Sequence, residues 1–391
     1  MDTGIRETHR EFAGDGKLQV EALFPDDTEY TLADSRAQAD HGTSVAAVAA
    51  GNRDGVDGGN MQGVAFDAAL HFAYLDLRPD DFTNSPIDLS MRGDDYYVDF
   101  YQPILDIAER VDASIINQSF GVFGAISLYE EMEVRRVFSK LAAVFEQADT
   151  DAADRKIFVW AAGNAKGMTQ ADGEDERYDS PEILAGLGVH FEELQTHVLA
   201  VVSVDQNGKI SSFSNHCGVA KDFCLAAPGE DITSAVDDDD AMYHRESGTS
   251  FAAPVVSGSL AVLRDYFDGQ LGNTELVTRL LATADRTDIY ADSDIYGRGL
   301  LDLDAATRPV GMIMAGLPGS PGNQPFAGTE LALSGGAFGA SLQRQLAGVE
   351  VAGFDALGAP FMQSAAGWAT PSPRRNGGDR ADAREVALHS A

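Results

Sequence analysis

Residues 247–258 read Ser-Gly-Thr-Ser-Phe-Ala-Ala-Pro-Val-Val-Ser-Gly, which predicts a serine at the beginning of an apolar helix. Gly248 allows a tight turn and a close backbone approach to a ligand, and apolar residues recur with helical spacing as far as about residue 266. Free N–H groups and the positive dipole end at a helix N-terminus favour a developing oxyanion. Ser250 is therefore a candidate nucleophile, and the alternative is an ordinary helix-capping serine.

A serine hydroxyl needs a base that removes its proton, and His41 is the candidate. Residues 41–51 read His-Gly-Thr-Ser-Val-Ala-Ala-Val-Ala-Ala-Gly, which predicts a closely packed helix with the histidine in its first turn. Asp2, within Met-Asp-Thr-Gly-Ile, is the carboxylate available to fix the imidazole tautomer. Each residue alone has a plainer interpretation: His41 as a structural histidine, and Asp2 as a mobile group at a chain end.

Four segments carry a resemblance to the subtilisin-like serine peptidases, the subtilase family S8. They are Asp2-Thr3-Gly4, His41-Gly42-Thr43, Ala161-Ala162-Gly163-Asn164 and Gly248-Thr249-Ser250-Phe251-Ala252-Ala253-Pro254. Their order, Asp then His then Ser, is that of subtilisin. The resemblance implies peptide-bond hydrolysis by an Asp2–His41–Ser250 triad through an acyl-enzyme. It also implies that Asn164 donates to the oxyanion, whereas the plainer interpretation is an asparagine that stabilises a turn.

The same resemblance places the substrate between two short segments, at the ends of two predicted strands. Each wall consists of three residues: Ser119, Phe120 and Gly121 on one side, and Ala161, Ala162 and Gly163 on the other. The first wall would pair with an extended peptide backbone, which binds any sequence. The small side chains of the second wall leave room for an apolar group, and we expect broad, apolar-leaning specificity. The alternative is that both segments are only buried parallel strands.

The pattern along residues 1–307 predicts an α/β fold. Apolar strand-like runs at 64–77, 111–120, 156–162 and 198–204 alternate with helical patterns near 41–50, 98–110, 130–147, 249–266 and 274–284. This alternation is typical of a mostly parallel sheet with helices on both faces. The resemblance implies a three-layer subtilisin-like catalytic domain. We expect that domain to be incomplete at its N-terminus, because the family has a strand where Asp2 has only Met1 before it.

The chain changes character from about residue 312, where Gly, Pro, Ala and Ser become frequent. We expect residues 308–391 to be a poorly structured linker or stalk with a disordered C-terminal part. Residues 354–361, Phe-Asp-Ala-Leu-Gly-Ala-Pro-Phe, resemble the region before the barrel in autotransporter subtilases, in which a secreted protease precedes an outer-membrane β-barrel. The repeated alternating segments that a barrel requires do not follow them.

The two cysteines, Cys217 and Cys224, permit a single pairing. A disulfide suits an oxidising compartment, whereas free thiols suit a cytoplasmic protein, and two cysteines alone are too few for a metal site. We favour the disulfide. The spacing of these cysteines, with six residues between them, also resembles that of the autotransporter subtilases.

The composition limits the partners. The 391 residues include 28 basic and 62 acidic side chains, a formal net charge of −34, which disfavours nucleic acid and anionic membranes. No run approaches about 18 consecutive apolar residues, so we expect no membrane span in this chain. Acidic clusters at 172–176 and 237–240 are metal sites, cation-attracting loops or exposed turns, and we favour exposed turns. We expect the chemistry to require no cofactor. The resemblance allows structural calcium, but no segment matches a calcium loop.

We therefore expect a monomeric serine endopeptidase that acts on polypeptides. Its full-length precursor would be extracytoplasmic, either secreted or on a bacterial cell surface, and tethered to an outer-membrane β-barrel. No signal peptide precedes Asp2, and we expect the chain to be a fragment. The alternative is a catalytically impaired remnant that retains only peptide binding. An esterase on this scaffold has no supporting feature beyond shared acyl-transfer chemistry.

Overall fold

Parallel strands and packed helices make up most of the first of two compact units, residues 1–308 and 309–391. The computed structural model describes residues 1–21, 40–53, 61–73, 88–91, 93, 97–166, 178–317, 320–325 and 349–364. The strands of the first unit are β1 (Leu18–Glu21), β2 (Leu70–Ala73), β3 (Ile115–Gln118), β4 (Ile157–Ala161), β5 (Val198–Val204), β6 (Cys224–Pro228), β7 (Ile232–Ala235) and β8 (Tyr243–Glu246).

The helices of this unit fall into long and short ones. They are α1 (Asp40–Ala50), α2 (Val98–Arg110), α3 (Glu131–Glu146), α4 (Thr249–Tyr266), α5 (Asn273–Thr283), α6 (Ser293–Tyr296) and α7 (Leu303–Ala306). Short 3₁₀ helices occur at Arg10–Phe12, Leu89–Met91, Ile126–Leu128, Leu187–Val189, Glu192–Thr196, Gly218–Ala220 and Asp288–Ala291.

The central sheet has the order β3-β4-β5-β6, and all its strands are parallel. β4 and β5 are buried along their whole length, which explains why their sequences are continuous apolar runs rather than alternating ones. β1 and β2 form a separate parallel pair, and β7 and β8 form an antiparallel pair.

Helices cover both faces of the central sheet. α4 contacts all four strands of the sheet on one face and also packs against α1. On the other face, α2 and α3 contact each other, and their apolar residues share one core with alternate residues of β4 and β5, including Phe158 and Trp160. The predicted three-layer α/β fold is confirmed. None of the helices in the described ranges combines the length and the apolar character needed to cross a bilayer.

The first two residues lie between the ends of β2 and β3. The Asp2 N–H donates to Ala73 O over 3.2 Å, and the Met1 amino group donates to Asn117 O over 3.0 Å. Asp2 is only 3% exposed, so the structure does not show it as the mobile chain-end group of the plainer interpretation. Beside these residues, a cavity of about 640 Å³ lies between β2 and β3 and is lined mainly by apolar side chains of the flanking helices and strands.

The second unit contains a small antiparallel sheet in its described part. Its strands, β9 (Met314–Leu317), β10 (Ser320–Pro325), β11 (Glu350–Phe354) and β12 (Pro360–Ser364), have the order β10-β9-β11-β12. The Asp355 carboxylate accepts from the N–H groups of Val310, Leu357 and Ala359, which fixes the turn between β11 and β12. The Gly- and Pro-rich composition did not predict these strands. The linker or stalk interpretation of residues 308–391 stays a prediction, and residues 365–391 lie outside the described part.

Candidate active site

A buried carboxylate and an imidazole form the centre of the candidate site. His41 Nδ1 lies 2.8 Å from Asp2 Oδ1 and 2.9 Å from Asp2 Oδ2. The Thr3 N–H donates to the same Oδ1 over 2.8 Å, which fixes the carboxylate. Because an ionised carboxylate only accepts, Nδ1 must be the donor, and Nε2 keeps its lone pair. This arrangement leaves Nε2 as a base.

Helix α1 brings His41 to Asp2 through a close approach that requires glycine. A Cβ on Gly42 would overlap the carbonyl oxygen of Gly4 and would lie 2.9 Å from the Cβ of Asp2. The next residue, Thr43, secures the same segment, because its Oγ1 accepts from the Arg6 N–H over 2.8 Å. The small residues of the predicted helix therefore serve to hold residues 2–6 against its first turn.

The surroundings of His41 favour its protonated form. Burial of the ring opposes protonation, but the charge and hydrogen bond of Asp2, together with the charges of Asp40 and Glu246, outweigh burial and raise the pKa of His41 above its usual value. An imidazolium that forms when His41 takes a proton is therefore stabilised.

Ser250 is the second residue of α4, so its N–H belongs to the first turn, where N–H groups have no acceptor within the helix. Its Oγ donates to Ser119 O over 3.0 Å, and the Ser119 Oγ donates back to Ser250 O over 2.7 Å. The resting hydroxyl therefore bonds Ser119 rather than His41. Both Ser250 and His41 line a cleft of about 250 Å³, which also includes Asn164.

Asn164 follows β4 and is oriented by the beginning of α4. Its Oδ1 accepts from the N–H of Thr249 over 2.9 Å and from Thr249 Oγ1 over 3.1 Å. Since two donors hold the oxygen, Nδ2 is the atom left to donate elsewhere. The structure thus brings His41, Ser250 and Asn164 to one cleft, with Asp2 behind His41.

The two predicted substrate walls lie at the ends of β3 and β4. On the first wall, Phe120 packs its ring against Trp160, with ring centroids 5.5 Å apart. On the second wall, the Ala162 N–H donates to β5 and its carbonyl oxygen accepts from the Glu182 N–H over 2.9 Å. The sequence did not predict a role for Glu182, whose carboxylate lies against Gly121 and Gly163, one glycine from each wall. No local pattern marks this residue, because the contact joins distant parts of the chain.

Two further predictions concern the cysteines and the acidic clusters. Cys217 and Cys224 form a disulfide with their Cα atoms 5.6 Å apart. Within the cluster at 237–240, Asp240 accepts from Arg6 Nε and from Thr8 Oγ1, both over 2.6 Å. The cluster at 172–176 lies outside the described residues. Among the residues that the structure describes, no three or more His, Cys, Asp or Glu side chains form a group suited to a metal ion. Structural calcium stays a prediction.

A profile of the subtilase family matches residues 1–299. The chain belongs to the subtilase family. This subtilase is 25% identical over 345 residues to an extracellular serine protease of Serratia marcescens. The match covers 77% of this chain and 31% of that relative. It is 25% identical over 279 residues to the autotransporter lipoprotein NalP of Neisseria meningitidis serogroup B, with 64% of this chain and 24% of the relative covered.

A solved structure supports the fold of this subtilase. The MycP3 protease from the type VII (ESX-3) secretion system matches with a TM-score of 0.53 and 26% sequence identity, covering 79% of this chain and 81% of that one. The subtilase spans 31% and 24% of the lengths of the two curated relatives.

Proposed function

We propose that this subtilase is a serine endopeptidase that hydrolyses peptide bonds through an Asp2–His41–Ser250 triad. One observation carries the proposal: a buried carboxylate bonds His41 Nδ1 over 2.8 Å, and that histidine shares a cleft with Ser250 at a helix N-terminus. A carboxylate that fixes the tautomer of a base next to a serine is the arrangement that activates a hydroxyl for attack. The family membership supports the same chemistry.

In the proposed reaction, the Ser250 hydroxyl leaves the Ser119 carbonyl and gives its proton to His41 Nε2. Oγ forms a bond to the carbonyl carbon of the substrate, and the π electron pair moves to the carbonyl oxygen. Asn164 Nδ2 and the Ser250 N–H donate to that oxyanion. When the tetrahedral intermediate collapses, the C–N bond breaks and the leaving amine takes the proton from His41.

The second half of the reaction repeats the first with water. His41 takes a proton from water, and the hydroxide oxygen attacks the acyl carbon of the ester on Ser250. As the ester C–O bond breaks, His41 returns the proton to Oγ and the carboxylic acid product leaves. Throughout both halves, Asp2 stays ionised and stabilises the imidazolium.

The substrate would bind as an extended strand beside Ser119, Phe120 and Gly121, because main-chain hydrogen bonds at a sheet edge hold any backbone. Polypeptides are therefore the proposed substrate class. The alternative of an impaired remnant requires a poorly held aspartate, whereas Asp2 is buried and bonded to His41 and Thr3.

We infer an extracytoplasmic location, secreted or at a cell surface, from three observations. Relatives of this subtilase include an extracellular protease and an autotransporter, and the Cys217–Cys224 disulfide suits an oxidising compartment. Tethering of the full-length form to an outer membrane and a monomeric state stay predictions.

The test of the proposed function is cleavage of a protein substrate. Purified wild-type chain and the Ser250→Ala variant are incubated with a denatured, disulfide-free protein, and new N-termini are counted by mass spectrometry. We expect internal cleavage by the wild type and at least about 10⁴-fold less by the variant. Circular dichroism establishes that both proteins are folded. A folded wild type that produces no new N-termini would overturn the proposal.

A further inference from the structure

Glu182 is an acidic residue outside the proposed triad whose carboxylate lies against both predicted substrate walls. A Cβ on Gly121 would overlap Glu182 Oε2, and a Cβ on Gly163 would lie 2.7 Å from both Oε1 and the Cγ of Glu182. The carboxylate therefore fills the space that side chains at these two positions would occupy. Since one glycine comes from each wall of the cleft, the carboxylate lies between the walls.

The backbone around Glu182 holds this side chain in place. Its N–H donates to Ala162 O over 2.9 Å, and its own carbonyl oxygen accepts from the Gly186 N–H over 2.9 Å. Glu182 also forms an isolated antiparallel bridge with Ala125. Next to this bridge, the Ile126 N–H donates to Pro181 O. The carboxylate thus belongs to a segment that is bonded to the second wall at Ala162 and to the chain at Ala125 and Ile126, which gives the rigid support that a specificity pocket requires.

The carboxylate has no cationic partner among the described residues. Lys166, which follows the second wall, instead has its Nζ 3.1 Å from His216 Nε2 and 5.5 Å above the ring of Tyr178. Burial alone raises the pKa of Glu182 to about 7, and no described charged group contributes to that shift. A desolvated carboxylate without a partner destabilises the fold, and such groups concentrate at functional sites.

We propose that Glu182 is the specificity-determining residue of the pocket for the substrate residue before the scissile bond, and that it selects lysine or arginine there. The inference rests on the proposed peptidase function. An ammonium or guanidinium would donate to the carboxylate, while the aliphatic stem of the same side chain packs along the small residues Ala161 and Ala162. The proposal replaces the apolar-leaning specificity that the wall residues alone predicted, because those residues do not include the carboxylate that lies between the two walls.

The size of the effect follows from the burial of the carboxylate. A neutral substrate side chain would bury the charge further without a partner, and sites built to pair a polar group reject analogues that lack the partner. We expect kcat/KM for a lysine or arginine substrate to exceed that for a matched leucine substrate by at least about 10²-fold at pH 8.

The test uses internally quenched peptides that differ only at the residue before the scissile bond: lysine, arginine, leucine or glutamine. The wild type, Glu182→Gln and Glu192→Gln are compared at pH 8. Glu192 is an exposed acid at the beginning of the 3₁₀ helix Glu192–Thr196 and serves as the matched control. We expect the preference for basic residues to disappear in Glu182→Gln, with the leucine peptide cleaved at least as fast as by the wild type, and to persist in Glu192→Gln.

A second test of the proposal uses the wild type alone and measures how its preference depends on pH. Because the free carboxylate ionises near pH 7, the ratio of kcat/KM for the lysine peptide to that for the leucine peptide should rise as the pH increases from 6 to 8. Titration of His41 cancels in this ratio, since both peptides depend on it equally.

The outcomes separate this inference from the function on which it rests. Equal cleavage of leucine and lysine peptides by the wild type would overturn the inference and leave the peptidase standing. A basic preference that survives in Glu182→Gln would do the same. If the folded wild type cleaves none of the peptides and also leaves denatured protein intact, the proposed function itself fails, and the inference fails with it.

Discussion

Replacing Asp2 with asparagine would change a single atom of the buried pair that orients His41. In the wild type, both carboxylate oxygens lie within 2.9 Å of Nδ1, so Nδ1 is the donor. The Thr3 N–H, which donates to Asp2 Oδ1, would hold the amide oxygen of the asparagine and turn its NH₂ group towards Nδ1. Nδ1 must then accept, and the proton moves to Nε2. That tautomer cannot take the proton of Ser250.

The expected loss of activity in Asp2→Asn has two causes, the loss of the Asp2 charge and the change of the His41 tautomer. An imidazolium and a carboxylate about 4 Å apart attract each other by about 4 kcal/mol at an effective dielectric constant of about 20. Loss of that attraction in the transition state alone slows the reaction about 10³-fold, since about 1.4 kcal/mol corresponds to tenfold. The wrong tautomer adds to this loss. We expect kcat to fall about 10⁴-fold, the effect that is typical for loss of the ionised triad aspartate.

The assay measures kcat and KM of the wild type and Asp2→Asn with one quenched peptide between pH 6 and 9. Asp15→Asn, at an exposed position, is the matched control and should behave as the wild type. The charge of Asp2 raises the pKa of His41, so the acidic limb of the residual activity should move to lower pH in Asp2→Asn. A variant that keeps kcat within tenfold of the wild type would refute the role of Asp2.

Three further predictions concern the oxyanion donor, the approach of α1 and the buried acid. Asn164→Ala should lower kcat about 10²–10³-fold with KM little changed, and a kcat within threefold of the wild type would contradict its role. Gly42→Ala should destabilise the fold by about 3 kcal/mol in urea unfolding, because its Cβ would overlap Gly4 O, whereas Gly93→Ala, whose Cβ would meet no atom of the described residues within 4 Å, should be neutral. Glu182 has a pKa of about 7 when folded and 4.5 when unfolded, so the unfolded state loses its proton first as the pH rises. Wild-type stability should therefore fall by about 3 kcal/mol between pH 4.5 and 7 relative to Glu182→Gln, and parallel pH dependences of the two proteins would exclude this.

Local patterns in the sequence predicted the long elements well. The helical patterns at 41–50 and 249–266 agree with Asp40–Ala50 and Thr249–Tyr266, and the strand-like run at 198–204 agrees with Val198–Val204. These elements are buried and apolar, so their own residues carry the period that identifies them. β7 and β8 were not predicted. They are only partly buried and stabilise each other as an antiparallel pair, so neither has a strong pattern of its own.

The sequence likewise predicted some features of the candidate site and not others. His41, Asn164 and Ser250 were predicted because each stands in a short motif at the end of an element. The burial of Asp2 was not, because it depends on bonds to Ala73 and His41, which are distant in sequence. The position of Glu182 also depends on contacts between segments that are distant in sequence. The pattern of the residues around Glu182 does not predict such contacts.

The most direct test of the central claim, that His41 and Asp2 activate Ser250, is labelling of the folded chain with a fluorophosphonate probe, followed by peptide mapping. Only an activated serine reacts at an appreciable rate. We predict a single adduct on Ser250, much slower labelling in His41→Ala and Asp2→Asn, and none in Ser250→Ala. A folded wild type that remains unlabelled, or that reacts at the same rate without His41, would contradict the proposed triad.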